Sequence, residues 1–206
     1  MVKTATKTIE PHKNAPIKLD KPGAGLPLIE RLYLNWYIKP FVAGKEDWAK
    51  TREDFISLNE RLTGLIEPVP YDKREKQILI DHVRGLEDSS RYWSLAMTLE
   101  HLVICHDLMR GVLESLKNGT PPTQSISTAD VKPKGLLSGE IALDEYRKAC
   151  DKIIAVSKTI EPVHDTIGGT APHPWFGPLT LKQWHWVIYA HTVVHFKQIK
   201  QIIKKL

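Results

Sequence analysis

Two cysteines in 206 residues, Cys105 and Cys150, are too few for a disulfide framework. Both fall in stretches with helix-interior character, so a reducing cytoplasm suits the chain better than an oxidising compartment. The amino-terminus has no apolar run of the length a secretory signal requires. Nor does any stretch reach about 18 consecutive apolar residues, which leaves no candidate for a membrane span. No segment alternates convincingly with period two, so there is little from which to build a sheet. The metalloprotease pattern HExxH is also missing.

Excess positive charge is present but unevenly spread. The formal net charge is +5, of which residues 1–27 hold +3: Lys3, Lys7, Lys13, Lys18 and Lys21 against Glu10 and Asp20. A second basic cluster, Lys197, Lys200, Lys204 and Lys205, ends the chain, where cations suit a helix carboxyl-terminus. With no aromatic residues interleaved among the basic ones, the pattern is not that of a nucleic-acid surface. Residues 1–27, rich in Pro, Lys and Thr, read as a flexible arm, and 28–206 as one domain.

Within that domain the apolar spacing is helical. Leu28, Leu32 and Trp36, with Ile29, Tyr33 and Tyr37, predict a helix broken near Pro40. Trp48, Phe55, Leu58, Leu62 and Leu65 predict a second over about 46–66, which Pro68 and Pro70 stop. A short helix over 72–84 would carry Ile78, Ile80 and Val83. A long helix is predicted from Ser89–Ser90 to about Leu116, closed by Asn118–Gly119 and two prolines. After a long loop, 118–138, comes a helix over 139–159 with Leu143, Tyr146, Cys150 and Ile153 on one face. A Gly- and Pro-rich loop follows over 160–179, and Thr180 with Gln183 forms a capping-box pattern opening the last helix. Four long amphipathic helices imply an all-α antiparallel bundle with an extra amino-terminal arm and helix.

Three histidines call for a joint explanation. HTVVH on the last helix puts His191 and His195 one turn apart on the same face, a spacing that lets two imidazoles hold one ion. They continue the inward stripe of Trp184, Ile188 and Gln198. His101 shares the inward face of its helix with Trp93, Met97, Ile104 and Leu108. One inward histidine is ordinarily a hydrogen-bonded core residue, but metal ligation satisfies three together. Cys105 lies one turn after His101, where a small buried apolar role is the simpler reading. His106, about 140° further round, is assigned to the surface or to the layer behind the ligands. Glu100 and Asp107 either orient ligands or, as the default reading, lie on a solvated face, and His185 and Trp186 pack away from the ligand stripe. His173 either shapes the cavity mouth or ties its loop.

These residues carry a family resemblance. Pro174, Phe176, Gly177, Leu179, Thr180, Trp184, His191, His195 and Gln198, with Trp93, Ser94, Glu100, His101 and Leu102, resemble the signature of the DinB-like superfamily over about residues 46–206. Many relatives carry a further histidine just before the last, where this chain has Val194. The resemblance implies a four-helix bundle, often dimeric, with a divalent ion (zinc, nickel, iron or manganese) on His101, His191 and His195. Gln198, Cys105, Trp93 and His173 would then surround the ligands or line the cavity. It implies a small-molecule substrate and a low-molecular-weight thiol cosubstrate for an S-transferase, with hydrolase-type chemistry second. The competing reading is a non-catalytic bundle that binds a small ligand or a structural metal.

Overall fold

The computed structural model describes residues 18–206, so the reading of 1–17 as an arm lies outside the described residues. Residues 18–27 lie along the domain. Asp20 N–H donates to the Asp88 carboxylate, and Gly23 and Gly25 N–H donate to Glu87. Helix α1 (Leu28–Tyr33) runs through one π turn (Leu34–Ile38) into the short α2 (Lys39–Phe41). The widened turn falls where Pro40 cannot donate and its ring crowds the carbonyl one turn back.

Helix α3 (Trp48–Ile66) begins where Asp47 accepts from Lys50 N–H, and it buries Trp48, Phe55, Leu58, Leu62 and Ile66. Arg74, at the end of the single-turn α4 (Tyr71–Arg74), closes α3 by donating to the carbonyls of Glu67 and Val69. The helix expected over 72–84 does not form. Ile78–Leu79 is instead strand β1, antiparallel to β2 (Tyr92–Trp93), with Ile78 facing Trp93. Ile78 and Ile80 are buried while Leu79 between them is exposed, an alternation too short to register as a period.

The next helix, α5 (Leu95–Lys117), starts at a Ser94 cap that accepts from Met97 N–H. Ser89 and Ser90, expected to open it, lie in the 3-10 turn Asp88–Ser90 before β2. Helix α6 (Ala142–Ile160) follows the long loop. The Gly/Pro-rich segment holds a 3-10 turn (Glu161–Thr166) and a hairpin of β3 (Ala171–His173) and β4 (Gly177–Leu179). Gly177, at φ +66, allows the tight return after Trp175 and Phe176. Helix α7 (Leu181–Lys205) opens with the Thr180–Gln183 capping box. The described residues are therefore mostly helical, with two small two-stranded sheets. Helix α5 packs on α6 and α7, and α3 packs on the same two. No helix among the described residues is long and apolar enough to cross a membrane.

Being sandwiched between α6 and α7, α5 buries residues on opposite sides. His106, expected at the surface or behind the ligands, is completely buried with its Nε2 3.1 Å from Thr192 Oγ1. His185 is buried too, stacked on Trp48 with centroids 3.8 Å apart and bonded to Ser157 Oγ at 2.9 Å. Burial pushes both imidazoles down to about 3. Between that value and about 6.5 the unfolded chain takes up a proton that the folded chain refuses, so stability falls as pH falls through this window. Each such histidine adds about 1.4 kcal/mol per pH unit to the slope. His185→Gln, which keeps a polar partner for Ser157, is expected to reduce the slope by that amount between about pH 6 and pH 4. Urea unfolding at a series of pH values measures it, and an unchanged slope would contradict the assignment.

Candidate metal centre

Helices α5 and α7 meet along the stripe that carries the predicted ligands. His191 Nε2 lies 3.3 Å from His101 Nε2 and 3.2 Å from His195 Nε2. The three rings are mutually tilted, with centroids 4.5–5.2 Å apart. Trp93 lies against two of them, parallel to His195 and 5.1 Å from His101 between centroids.

Hydrogen bonding fixes which nitrogens carry protons. His101 Nδ1 lies 2.6 Å from the Val131 carbonyl, which only accepts, so Nδ1 holds the proton. His195 Nδ1 lies 2.7 Å from Gln198 Oε1, and Gln198 Nε2 donates to Ser90 O at 2.8 Å, which orients the amide. His195 is thereby protonated at Nδ1 as well, and both rings turn an Nε2 lone pair inward. His191 Nδ1 is buried without a partner. A proton on His191 Nε2 could serve only one of the two facing lone pairs. A proton on Nδ1 would leave three lone pairs converging. Either tautomer leaves at least one buried lone pair without a donor.

A cation would remove that deficit; the group whose donor atoms lie close enough together to hold one is His101, Cys105 and His191, and His195, though beside His191, is not part of it. Burial pushes His101 down to about 4, and burial with the neighbouring imidazoles holds His191 and His195 well below the ordinary range. All three are thus neutral, the form that binds metal. Nitrogens about 2.0–2.1 Å from a tetrahedral ion stand roughly 3.3 Å apart, close to both separations here. Cys105 lies beside them, its Sγ 3.6 Å from His101 Nε2. His101, Cys105 and His191 have donor atoms within 4.8 Å of one another and could hold a metal ion. Burial pushes the Cys105 thiol up to about 12, so without an ion it stays protonated.

A family model described as the DinB superfamily matches residues 36–199. The chain belongs to the DinB superfamily. Among curated proteins none matches the chain. The matched span takes in all three histidines and Gln198, and begins inside the amino-terminal helical segment.

In this DinB-superfamily protein the loop 118–138 forms one side of the site, a role foreshadowed by its length but not by any single residue. Val131 supplies the carbonyl under His101. Next to it, Lys132 Nζ donates to Glu87 and to the hydroxyls of Ser89 and Ser90, 5.2 Å from the centre of the Trp93 ring. Burial alone would raise the Glu87 carboxyl, but hydrogen bonds from Lys132 and Thr128 hold it below its ordinary value. Glu100, read from the sequence as solvated, is buried and accepts from three successive backbone N–H groups, Lys134, Gly135 and Leu136. None of these partners shares a helix face, so no periodicity announced them.

The histidines open into a cavity of about 180 Å³. Its walls are mostly apolar, including Met109, Val112, Ile126, Pro174, Trp175 and Val187. His173 both lines it and ties its loop: Nδ1 accepts from Trp175 and Phe176 N–H. Glu87 is the one charged side chain among the described lining residues, and Lys132 pairs with it.

Proposed function

We propose that this DinB-superfamily protein is a metal-dependent enzyme holding one divalent ion on His101, His191 and His195. The supporting observation is the convergence of three neutral imidazoles whose hydrogen bonds leave inward lone pairs unsatisfied. The four long helices are taken to form the antiparallel four-helix bundle of the superfamily, with 28–41 as an extra amino-terminal element. The ion's identity is left among zinc, nickel, iron and manganese, all of which accept imidazole.

An ion with only three protein ligands keeps a position open and supplies Lewis acidity that generates a nucleophile at neutral pH. The family resemblance favours a low-molecular-weight thiol as that nucleophile. Its sulfur bonds to an electrophilic carbon, the leaving group departs with the bonding pair, and the thiol proton passes to solvent. Val131 and Gln198 orient His101 and His195 through their Nδ1 protons, and the apolar wall excludes water from the reacting atoms. A 180 Å³ cavity without a free cation suits an uncharged electrophile of few heavy atoms. A reducing cytoplasm is in keeping with two free, buried cysteines.

Cys105 supports a second reading, since its Sγ groups with His101 and His191 within 4.8 Å, and with His195 added as a fourth ligand the set would be closed and structural. Elemental analysis of untagged protein separates the two. The open site predicts about one ion per chain in the wild type and in Cys105→Ser, and none in His191→Ala/His195→Ala. Loss of the ion in Cys105→Ser points to the closed set. Retention in the double histidine variant, or failure of the wild type to take up zinc, nickel or manganese, sinks the proposal.

A further inference from the structure

His173 ends strand β3, paired with Gly177 across the hairpin, and its ring is more constrained than that of most loop residues. Its Nδ1 accepts from the backbone N–H of Trp175 at 3.1 Å and of Phe176 at 3.4 Å. A ring nitrogen that accepts carries no proton, so in the neutral imidazole the proton sits on Nε2. Burial pushes His173 down to about 4, which keeps the ring neutral at ordinary pH. Nε2–H is therefore a donor, and it meets no acceptor among the described residues. Nor is it sealed off. Among those residues the sealed side-chain nitrogens without a partner are Arg110 Nε and His191 Nδ1. The open space beside His173 is the cavity that it lines together with His101, His191 and His195.

The donor is also held in place. Phe176 and Trp184 flank the ring, with centroids 4.9 and 5.2 Å away. Trp184 Nε1 donates to the Ala171 carbonyl, which fixes β3 to the helix that carries His191 and His195. From the other side Asn35 and Lys39 donate to the carbonyls of Trp175 and Phe176. The other polar groups around the cavity are engaged or peripheral. Glu87, Ser90 and Thr128 are bonded to Lys132 or to one another, while Gln124 and Ser127 are exposed. We propose that His173 binds the substrate, its Nε2–H donating to a carbonyl or ether oxygen on an uncharged and otherwise apolar molecule.

This deepens the transfer reaction proposed above, and rests on it only for what happens to the molecule once bound. A site built to hydrogen-bond one group of its substrate rejects the analogue that lacks it, because the site's own polar group is left unpaired. An alkyl halide without oxygen would leave Nε2–H unpaired against apolar walls. An epoxide, an ester or an unsaturated ketone would satisfy it. The same hydrogen bond would fix which way the electrophile lies in the cavity, and so which carbon the nucleophile reaches. A histidine that only tied the turn would need Nδ1 alone.

Two variants separate the roles of the two ring nitrogens. His173→Asn places an oxygen where Nδ1 now accepts and falls short of Nε2, whereas His173→Gln reaches as far as Nε2 and abandons the turn. The probes are cyclohexanone and its hydrocarbon counterpart methylenecyclohexane, titrated into the full chain and followed by amide chemical shifts. His173→Asn is expected to bind cyclohexanone about fivefold more weakly than the wild type, the worth of one neutral hydrogen bond, and methylenecyclohexane equally well. His173→Gln is expected to lose less cyclohexanone affinity than His173→Asn, and to lower the thermal midpoint more. Equal losses for both probes in His173→Asn, or no loss for either, overturn the proposal, as does a wild type that binds neither. Should His173→Asn misfold, the ring nitrogen shifts of wild-type His173 decide. A proton found on Nδ1, or an Nε2 shift indifferent to cyclohexanone, overturns the proposal. Binding is read without turnover or an ion, so failure here and failure of the metal centre are told apart.

Discussion

Glu100→Ala is expected to lower the unfolding free energy by about 2–4 kcal/mol and to loosen loop 118–138. The Glu100 carboxylate collects the N–H groups of Lys134, Gly135 and Leu136 at 2.8–3.1 Å. Bonds to a charged acceptor are the stronger kind, and alanine abandons all three donors together. The effect reaches the histidines, because the Val131 carbonyl beneath His101 lies three residues before the first of those donors. Ligand-orienting groups are typically worth 10–100-fold in metal affinity, so the variant should also bind the proposed ion more weakly by about that factor. Urea unfolding and competitive metal titration read the two effects separately. Glu100→Gln, which keeps one carbonyl acceptor, should recover part of the stability. A variant as stable as the wild type would show that the loop is held elsewhere.

Gly139→Ala should be at least as damaging, by about 3–5 kcal/mol, although it adds a single methyl group. A Cβ at this position would stand 2.4 Å from the Tyr71 carbonyl oxygen and 3.1 Å from the side chains of Arg74 and Glu75. The first of these is backbone and cannot swing aside. Relief requires α4 to move off the start of α6. That movement breaks Arg74 Nη1 to Gly139 O and Gly139 N–H to Glu75. Arg74 is buried, and its bonds to Glu67 and Val69 close α3, so the strain spreads to a second helix end. A fall in the thermal midpoint of about 10 °C or more is expected for a chain of this size, and a midpoint within about 2 °C of the wild type would refute the account.

The long helices and the inward histidines were legible in the sequence because each depends on spacings of three and four residues within one element. The capping box at Thr180 and Gln183 is local in the same way. What failed was decided by packing between distant segments. Counting degrees from His101 leaves His106 at the surface or behind the ligands without choosing between them, and burial decides it because α5 is covered on two sides. For Glu100 the default reading of a solvated face fails, because its three donors come from a loop more than thirty residues on. The Ile78–Leu79 strand is two residues long and exists through its pairing with Tyr92–Trp93, so no pattern within 72–84 could reveal it. The Lys132–Glu87 pair joins two loops 45 residues apart, with nothing periodic in either.

The long loop is not held evenly. From Thr128 to Leu136 it is bonded to Glu87, Ser89, Ser90, Glu100 and His101. Residues 121–127, which bring Pro122, Gln124, Ile126 and Ser127 to the cavity rim, form no hydrogen bond to another element among the described residues. Local opening is cheapest where few such bonds must break, so residues 121–127 are expected to open more readily than 128–136. The slack limb can swing out and admit a guest on the timescale of ordinary loop motion, while the taut limb goes on holding His101 in place. In the proposed enzyme, passage through the rim would thereby be decoupled from the positions of the histidines, which need not be rebuilt each time.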